Sequence, residues 1–243
     1  CCLYSNVIYY YSISCIFFIK IFFMMYLINK TIERISRFFR FLLSKDFILN
    51  HKFQNKNQVT NANFIINSLK TKNFIPRYIF DIGCGHGEWT KKLLKFYPNS
   101  NFFLFDADNT NKEKLENLSI KYHNINYKIC LLTDNENFYT FYNMGYGSSI
   151  FEEQTSHVRK QQKIKSSKLK DEIPNELKNY TNNLIKIDVQ GAELKVLEGL
   201  DDLINNFEVV ILEVSIHQYN KDAPLFDQVL DFMKKKNYKL YDI

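Results

Sequence analysis

Acids and glycines gather at two points in this chain. One is DIGCGHGEW (Asp81–Trp89); the other, about a hundred residues later, is IKIDVQGAEL (Ile185–Leu194). Each is an apolar run that ends in an acid or glycine and then enters a helical pattern. Open α/β sheets build their ligand crevices this way, at the carboxyl ends of the strands. Gly83, Gly85 and Gly87 let the backbone turn sharply and approach a ligand with no Cβ in between. Their G-x-G-x-G spacing is not the dinucleotide fingerprint, whose third glycine would fall at residue 88, where Glu88 stands. NAD is therefore disfavoured. Cys84, inside the turn, reads as a small buried residue.

In the second motif, alternation along a strand puts Lys186 and Asp188 on the same side. Asp188 closes the strand facing the crevice, and an unpaired acid after an apolar strand is costly unless it is used. Gly191 permits a tight entry to the next helix. Glu193, in that helix's first turn, is stabilised by the helix N-terminus. Two readings of Glu193 stand side by side: an orienting group of the site, or an N-terminal helix acid paired with Lys186. A further strand, VVILEVS, supplies Glu213, followed by His217. A histidine there could take a substrate proton near neutrality, or be a plain surface residue. Asp188 and Glu213 could also share a divalent metal, but no further ligand spacing supports one and none is expected.

Alternating strands and helices must carry these residues. Expected strands are Tyr78–Ile82, Phe102–Asp106, Tyr127–Leu132, Leu184–Val189, Val209–Val214 and a short sixth in Tyr238–Ile243. Expected helices are Ala62–Leu69, Glu88–Phe96, Asn111–Tyr122, Glu193–Ile204 and Leu225–Lys236. Most of these strands are near-continuous apolar runs, as in parallel sheets covered on both faces. The fold class is a doubly wound, mostly parallel α/β domain. Between the third and fourth strands lie about fifty residues, longer than a plain crossover. They include FYNMGYGSSIF (Phe141–Phe151) and a basic run, RKQQKIKSSKLK (Arg159–Lys170), which reads as a solvated loop.

The 243 residues have room for one such domain plus an extension, and 46% apolar with 24% charged content is globular. Charge is uneven: residues 1–80 carry eleven Lys/Arg against Glu33 and Asp46, whereas residues 81–243 carry 21 against 24 acids. The domain proper is mildly acidic, which argues against a nucleic-acid groove. Five cysteines, Cys1, Cys2, Cys15, Cys84 and Cys130, form no C-x-x-C pair and fit a reduced, cytoplasmic compartment.

The ends read differently. Residues 1–50 form an apolar, then basic, helical extension ahead of a domain over 51–243. Residues 3–29 are apolar enough to suggest a span, but Lys20, Ser, Asn and Tyr dilute the run, and no basic region precedes it. Residues 1–23 are either a membrane anchor or upstream sequence read in frame, with a start at Met24 or Met25. From Ile28 to Lys45, apolar residues at helical spacing are interleaved with Arg34, Arg37 and Arg40. Such a helix docks on the domain or on a second subunit of a homo-oligomer, or lies as a peripheral contact on an anionic membrane. Asn50–Asn61 is a polar joining segment.

Both motifs resemble the FkbM family of S-adenosylmethionine (SAM) dependent methyltransferases, in which DVQGAEL or DVEGAEL is a hallmark. The resemblance covers roughly Asn73–Ile243. It implies a Rossmann-like methyltransferase fold that ends in two strands, of which only the first has room here, so the chain looks truncated at its C-terminus. It further implies SAM as cofactor. The glycine turn would then pass under the methionine and ribose, with Asp81 acting through water on the cofactor amino group. Asp106, ending FFLFDAD, stands where a carboxylate accepts the ribose hydroxyls; the family usually has Glu-Pro there, and Asp108 is the fallback. Asp134 is the expected polar contact for adenine. Gln190, where relatives have Glu or Gln, is an orienting group and not a base. Ser148 and Ser149 match a Ser-Ser pair at the substrate mouth. The resemblance implies O-methylation of a hydroxyl on a sugar, polysaccharide precursor or natural product, a small-molecule or glycan acceptor. Asp188, Glu213 and His217 are the catalytic candidates, and Lys186 an orienting one. A non-catalytic SAM-binding fragment is the rival reading. A second rival, an N-methyltransferase, would carry an Asn/Asp-Pro-Pro motif where Asp188-Val189-Gln190 stands.

Overall fold

The computed structural model describes residues 66, 69–155 and 158–240. The expectations for the apolar stretch, the basic helix, the joining segment and the boundary at residue 50 lie outside the described residues. Ile66, Leu69 and Lys70 are helical, within or beside the helix expected before the first strand.

Five strands form one parallel sheet. They are β1 (Tyr78–Ile82), β2 (Asn101–Asp106), β3 (Ile125–Ile129), β7 (Asn183–Ile187) and β8 (Phe207–Leu212), in the order β3-β2-β1-β7-β8. All five residues of β1 are buried, which suits a central strand covered on both faces. Alternation divides its side chains. Tyr78, Phe80 and Ile82 join a core with α4 (Glu193–Leu200) and α5 (Phe226–Lys235). Ile79 joins a second core with α1 (Glu88–Leu94) and α2 (Lys112–Lys121). Helices thus cover both faces, and the fold is the doubly wound α/β arrangement. The strand order reverses between β1 and β7, so the crevice opens at the carboxyl ends of these two neighbours.

Three expectations are corrected. The third strand splits: β3 ends at Ile129, and Leu131–Thr133 (β4) leaves the main sheet to pair parallel with residues 166–168. The basic run is a strand and not a loop. Lys160–Lys168 (β6) pairs antiparallel with β5 (Phe138–Asn143) and parallel with β4, making a second, three-stranded sheet. Its Lys163-Ile164-Lys165-Ser166 alternates exposed lysine with inward Ile164 and Ser166, a period-2 pattern masked by its charge. Lastly, Tyr238–Leu240, the described part of the expected sixth strand, pairs with nothing in either sheet. Among the described residues, no helix is long and apolar enough to cross a membrane.

Candidate active site at the ends of β1, β2 and β7

Register explains how the site assembles. Asp81 and Lys186 are cross-strand partners on β1 and β7, so their side chains emerge together on one face. The Lys186 Nζ stands 3.0 Å from Asp188 Oδ2 and 3.6 Å from Asp81 Oδ1, with the Trp89 ring 5.8 Å away. Asp81 is fully buried; its Oδ2 accepts from Thr90 Oγ1 at 2.7 Å, while Oδ1 has no hydrogen-bond donor. Burial pushes the Asp81 carboxyl above the usual range, opposed by the Lys186 charge and the Thr90 hydroxyl. Burial also works to lower the lysine, but Asp81 and Asp188 outweigh it and hold the ammonium above its ordinary value.

Asp188 is therefore not the unpaired acid that the strand pattern suggested. Besides Lys186, it accepts from Gln190 Nε2 at 2.9 Å. Gln190 takes a left-handed backbone (φ +53°), unusual for a side-chain-bearing residue, and the fold pins it from several directions. Its carbonyl oxygen accepts from Ser149 Oγ at 2.7 Å and from Asn220 Nδ2 at 2.6 Å. Glu193 Oε1 accepts from the Val189 and Gly191 N–H groups, both at 3.1 Å. That resolves the two readings of Glu193: it clamps the turn after β7, while the ammonium of Lys186 pairs with Asp81 and Asp188. The glycine turn meets this turn at Gly83, where a Cβ would fall 1.8 Å from the Asp188 carbonyl oxygen. Only glycine fits that contact, and its φ of +72° is itself glycine-favouring.

Across the crevice, Asp106 is held by backbone. Its Oδ2 accepts from Gly85 N–H at 2.7 Å; its Oδ1 accepts from Asp108 N–H at 2.8 Å and Asn111 Nδ2 at 3.1 Å. Burial raises its pKa, and these donors oppose the rise. Asp108 caps the short helical turn that follows, accepting from Thr110 N–H at 2.9 Å.

A cavity of about 330 Å³ lies between these groups. Of the sequence-derived candidates, Gly83, Cys84, Gly85, Asp106, Ser148 and Ser149 line it, as do Lys186, Asp188 and Gln190. Asp81 sits just behind the wall. Gly87 packs its bare Cα against Leu118 of α2, where a Cβ would fall 2.7 Å from that side chain, and is not in the lining. Asp134 turns to Lys195 Nζ (3.3 Å) and Tyr139, also outside the lining. His217 is exposed beyond the cavity, on the segment after β8. Glu213 is exposed at the outer side of Asp188; partial burial and the Asp188 carboxylate both push its pKa up. Among the described residues, no group of three or more His, Cys, Asp or Glu is placed to hold a metal ion.

A family model described as the methyltransferase FkbM domain matches residues 77–240, from the residue before β1 through the segment after α5. The chain belongs to the FkbM methyltransferase family. No curated protein matches it. In this methyltransferase, three groups near the cavity carry little or no sequence signal of their role. Thr90, buried on α1, donates to Asp81; a threonine three residues before the buried Leu93, on a helix otherwise rich in lysine, was its signal. Asn220 reaches Gln190 from thirty residues away, and no local pattern announces it. Trp89, the chain's single tryptophan, stands in the cavity wall.

Proposed function

We propose that this FkbM methyltransferase uses SAM and transfers its methyl group to a hydroxyl, of the kind carried by sugars, polysaccharide precursors and natural products. The observation that carries the cofactor reading is the Asp106–Gly85 contact at the open glycine turn. Asp106 borders the cavity with its carboxylate fixed, and a Cβ at Gly85 would meet nothing within 4 Å, leaving backbone accessible to a ligand. Asp81, with one buried oxygen lacking a donor, and Asp188 give that end an acidic character suited to a cationic ligand.

When bound, SAM supplies a methyl on a sulfonium, which makes the carbon open to direct displacement. The chain's part is alignment and proton handling. Asp106 would accept the ribose hydroxyls. Asp188, paired with Lys186, would accept a hydrogen bond from the acceptor hydroxyl and orient its oxygen. Glu213, next to Asp188, would receive the released proton on its carboxylate; His217, exposed and outside the cavity lining, is the second choice.

The single tryptophan makes the test direct. Titrating SAM should change Trp89 fluorescence in a saturable way, and calorimetry should give the same midpoint. Asp106→Ala should weaken binding by about 30- to 100-fold, roughly 2–3 kcal/mol for charge-assisted hydrogen bonds. Binding unchanged by that substitution, or no binding at all by the wild type, overturns the cofactor assignment. Methyl transfer to a panel of sugar and natural-product hydroxyls then tests the acceptor.

A further inference from the structure

Lys186 has an odd position for a group expected to orient a substrate. Its side chain is 13% exposed, and it lies between two carboxylates that are themselves covered: Asp81, fully buried, and Asp188, 23% exposed. The ammonium has three donor hydrogens. One is directed at Asp188 Oδ2, and the nearest acceptor for a second is the Asp81 Oδ1 that no other group serves. The Trp89 face covers it from α1. Few of its donors are left for an incoming ligand.

We propose that Lys186 is a positioning residue, the counter-charge that holds the Asp81 and Asp188 carboxylates together where β1 and β7 end. Two like charges at neighbouring strand ends, one of them fully buried, need an interposed cation. Other charged and titratable groups facing this pair all add negative charge or none. Glu213 stands beside Asp188 from the segment after β8, Glu193 acts on it from α4, and the Cys84 thiol, raised well above its ordinary value by burial, faces Asp81 from the glycine turn. Lysine at this point thus does for Asp81 and Asp188 what backbone N–H groups do for Asp106. Loss of Lys186 leaves only the Thr90 hydroxyl to oppose burial at Asp81, which then takes up a proton in the folded state at a pH where the same group in the unfolded chain is ionised.

The test is Lys186→Met, which keeps the stem and removes the charge, beside Lys186→Arg, which keeps the charge. In ligand-free protein, the melting-temperature deficit of Lys186→Met relative to wild type should be small near pH 5 and grow toward pH 8. The growth follows from linkage: a carboxyl protonated in the folded state and ionised in the unfolded one loses stability as pH rises. Lys186→Arg should show no such growth. A deficit of the same size at every pH would mean that Lys186 only fills space, and overturns the proposal. The SAM arm rests on the function proposed above. There, Lys186→Met should weaken binding at least tenfold at pH 7 and recover part of it as pH rises, whereas Lys186→Arg stays within about threefold. Unchanged affinity in Lys186→Met overturns the proposal as well. If the wild type binds no SAM, the cofactor reading fails while the ligand-free arm still decides the role of Lys186.

Discussion

Asp106 and Asp188 close two strands of the same sheet, on either side of the same cavity, and are held in opposite ways. Asp106 receives two backbone N–H groups and an asparagine amide, donors fixed by the path of the chain. Asp188 receives a lysine ammonium and a glutamine amide, both on side chains. Donors fixed by the chain path hold the Asp106 carboxylate in one orientation. The donors to Asp188 are of the adjustable kind, side chains of which one is charged and one neutral. The difference is one of environment, since both residues follow apolar strands that look alike.

The two sides touch at Gly83, so the comparison breaks most severely there. Gly83→Ala would set a Cβ 1.8 Å from the Asp188 carbonyl oxygen at a φ of +72°. Relief requires the glycine turn and the turn after β7 to separate, displacing Asp106's partner Gly85 and Asp188 at once. The expected cost is on the order of 3 kcal/mol or more, read in denaturant unfolding. A stability loss below about 1 kcal/mol would mean that the two turns are not in rigid contact.

Next in size is a matched pair, Asp106→Asn and Asp188→Asn. An amide at 106 can offer only one oxygen where backbone N–H groups approach both, so one donor is left opposed by an NH₂. About 2 kcal/mol of stability should be lost. At 188 the amide's oxygen and nitrogen face side chains that can rearrange, and Lys186 retains Asp81. The loss there should stay under about 1 kcal/mol, while methyl transfer falls by ~10²-fold as the acceptor hydroxyl loses the carboxylate proposed to orient it. Equal unfolding costs for the two variants would erase the distinction between fixed and adjustable donors.

Much of this was legible in the sequence, and the exceptions have physical causes. The main-sheet strands stood out because strands buried on both faces read as apolar runs, and the acids at their ends followed directly. Lys186 and Asp188 on one side was a consequence of strand alternation, which the 3.0 Å contact matches. What alternation could not reveal was Asp81 arriving from β1 in register with Lys186, since pairing between strands a hundred residues apart leaves no local trace. Alternation alone therefore leaves Asp188 looking unpaired. Strand β6 was hidden for another reason: its inward Ile164 and Ser166 are weak apolar markers among lysines that a one-sided strand can expose freely. Asn220 belongs to the same class as Asp81, a long-range partner with no periodic signature.

Glu193 probes the adjustable side through pH. Burial holds its carboxyl above the usual glutamate range, with the N–H groups of its own turn opposing. The folded chain therefore binds this proton more tightly than the unfolded chain. Its contribution to stability is greatest in acid, falls as pH rises through the ordinary glutamate range, and levels off above the raised folded value. Glu193→Gln keeps an oxygen for Val189 and Gly191 and removes the titration, so it should flatten that part of the stability profile. Glu193→Ala should lose about 1–2 kcal/mol, from the two N–H groups left without an acceptor. A profile identical in wild type and Glu193→Gln would show that the carboxyl does not titrate differently on folding.

The finest resolution comes from two adjacent serines. Ser149 is buried and donates to the Gln190 carbonyl at 2.7 Å, tying the turn that carries Asp188 to the segment before β6. Ser148 donates to Gly145 O at 2.7 Å within its own partly exposed turn. Ser149→Ala should therefore cost about 1 kcal/mol in unfolding and also slow methyl transfer, because Gln190 holds an Asp188 oxygen. Ser148→Ala should cost about 0.5 kcal/mol or less, a loss confined to a local turn that solvent can serve. The two residues differ by one position and by no chemistry, so unequal effects would trace the adjustable side of the cavity back to a single buried hydroxyl. Equal effects would leave Asn220, the other donor to Gln190, as the group that fixes the turn.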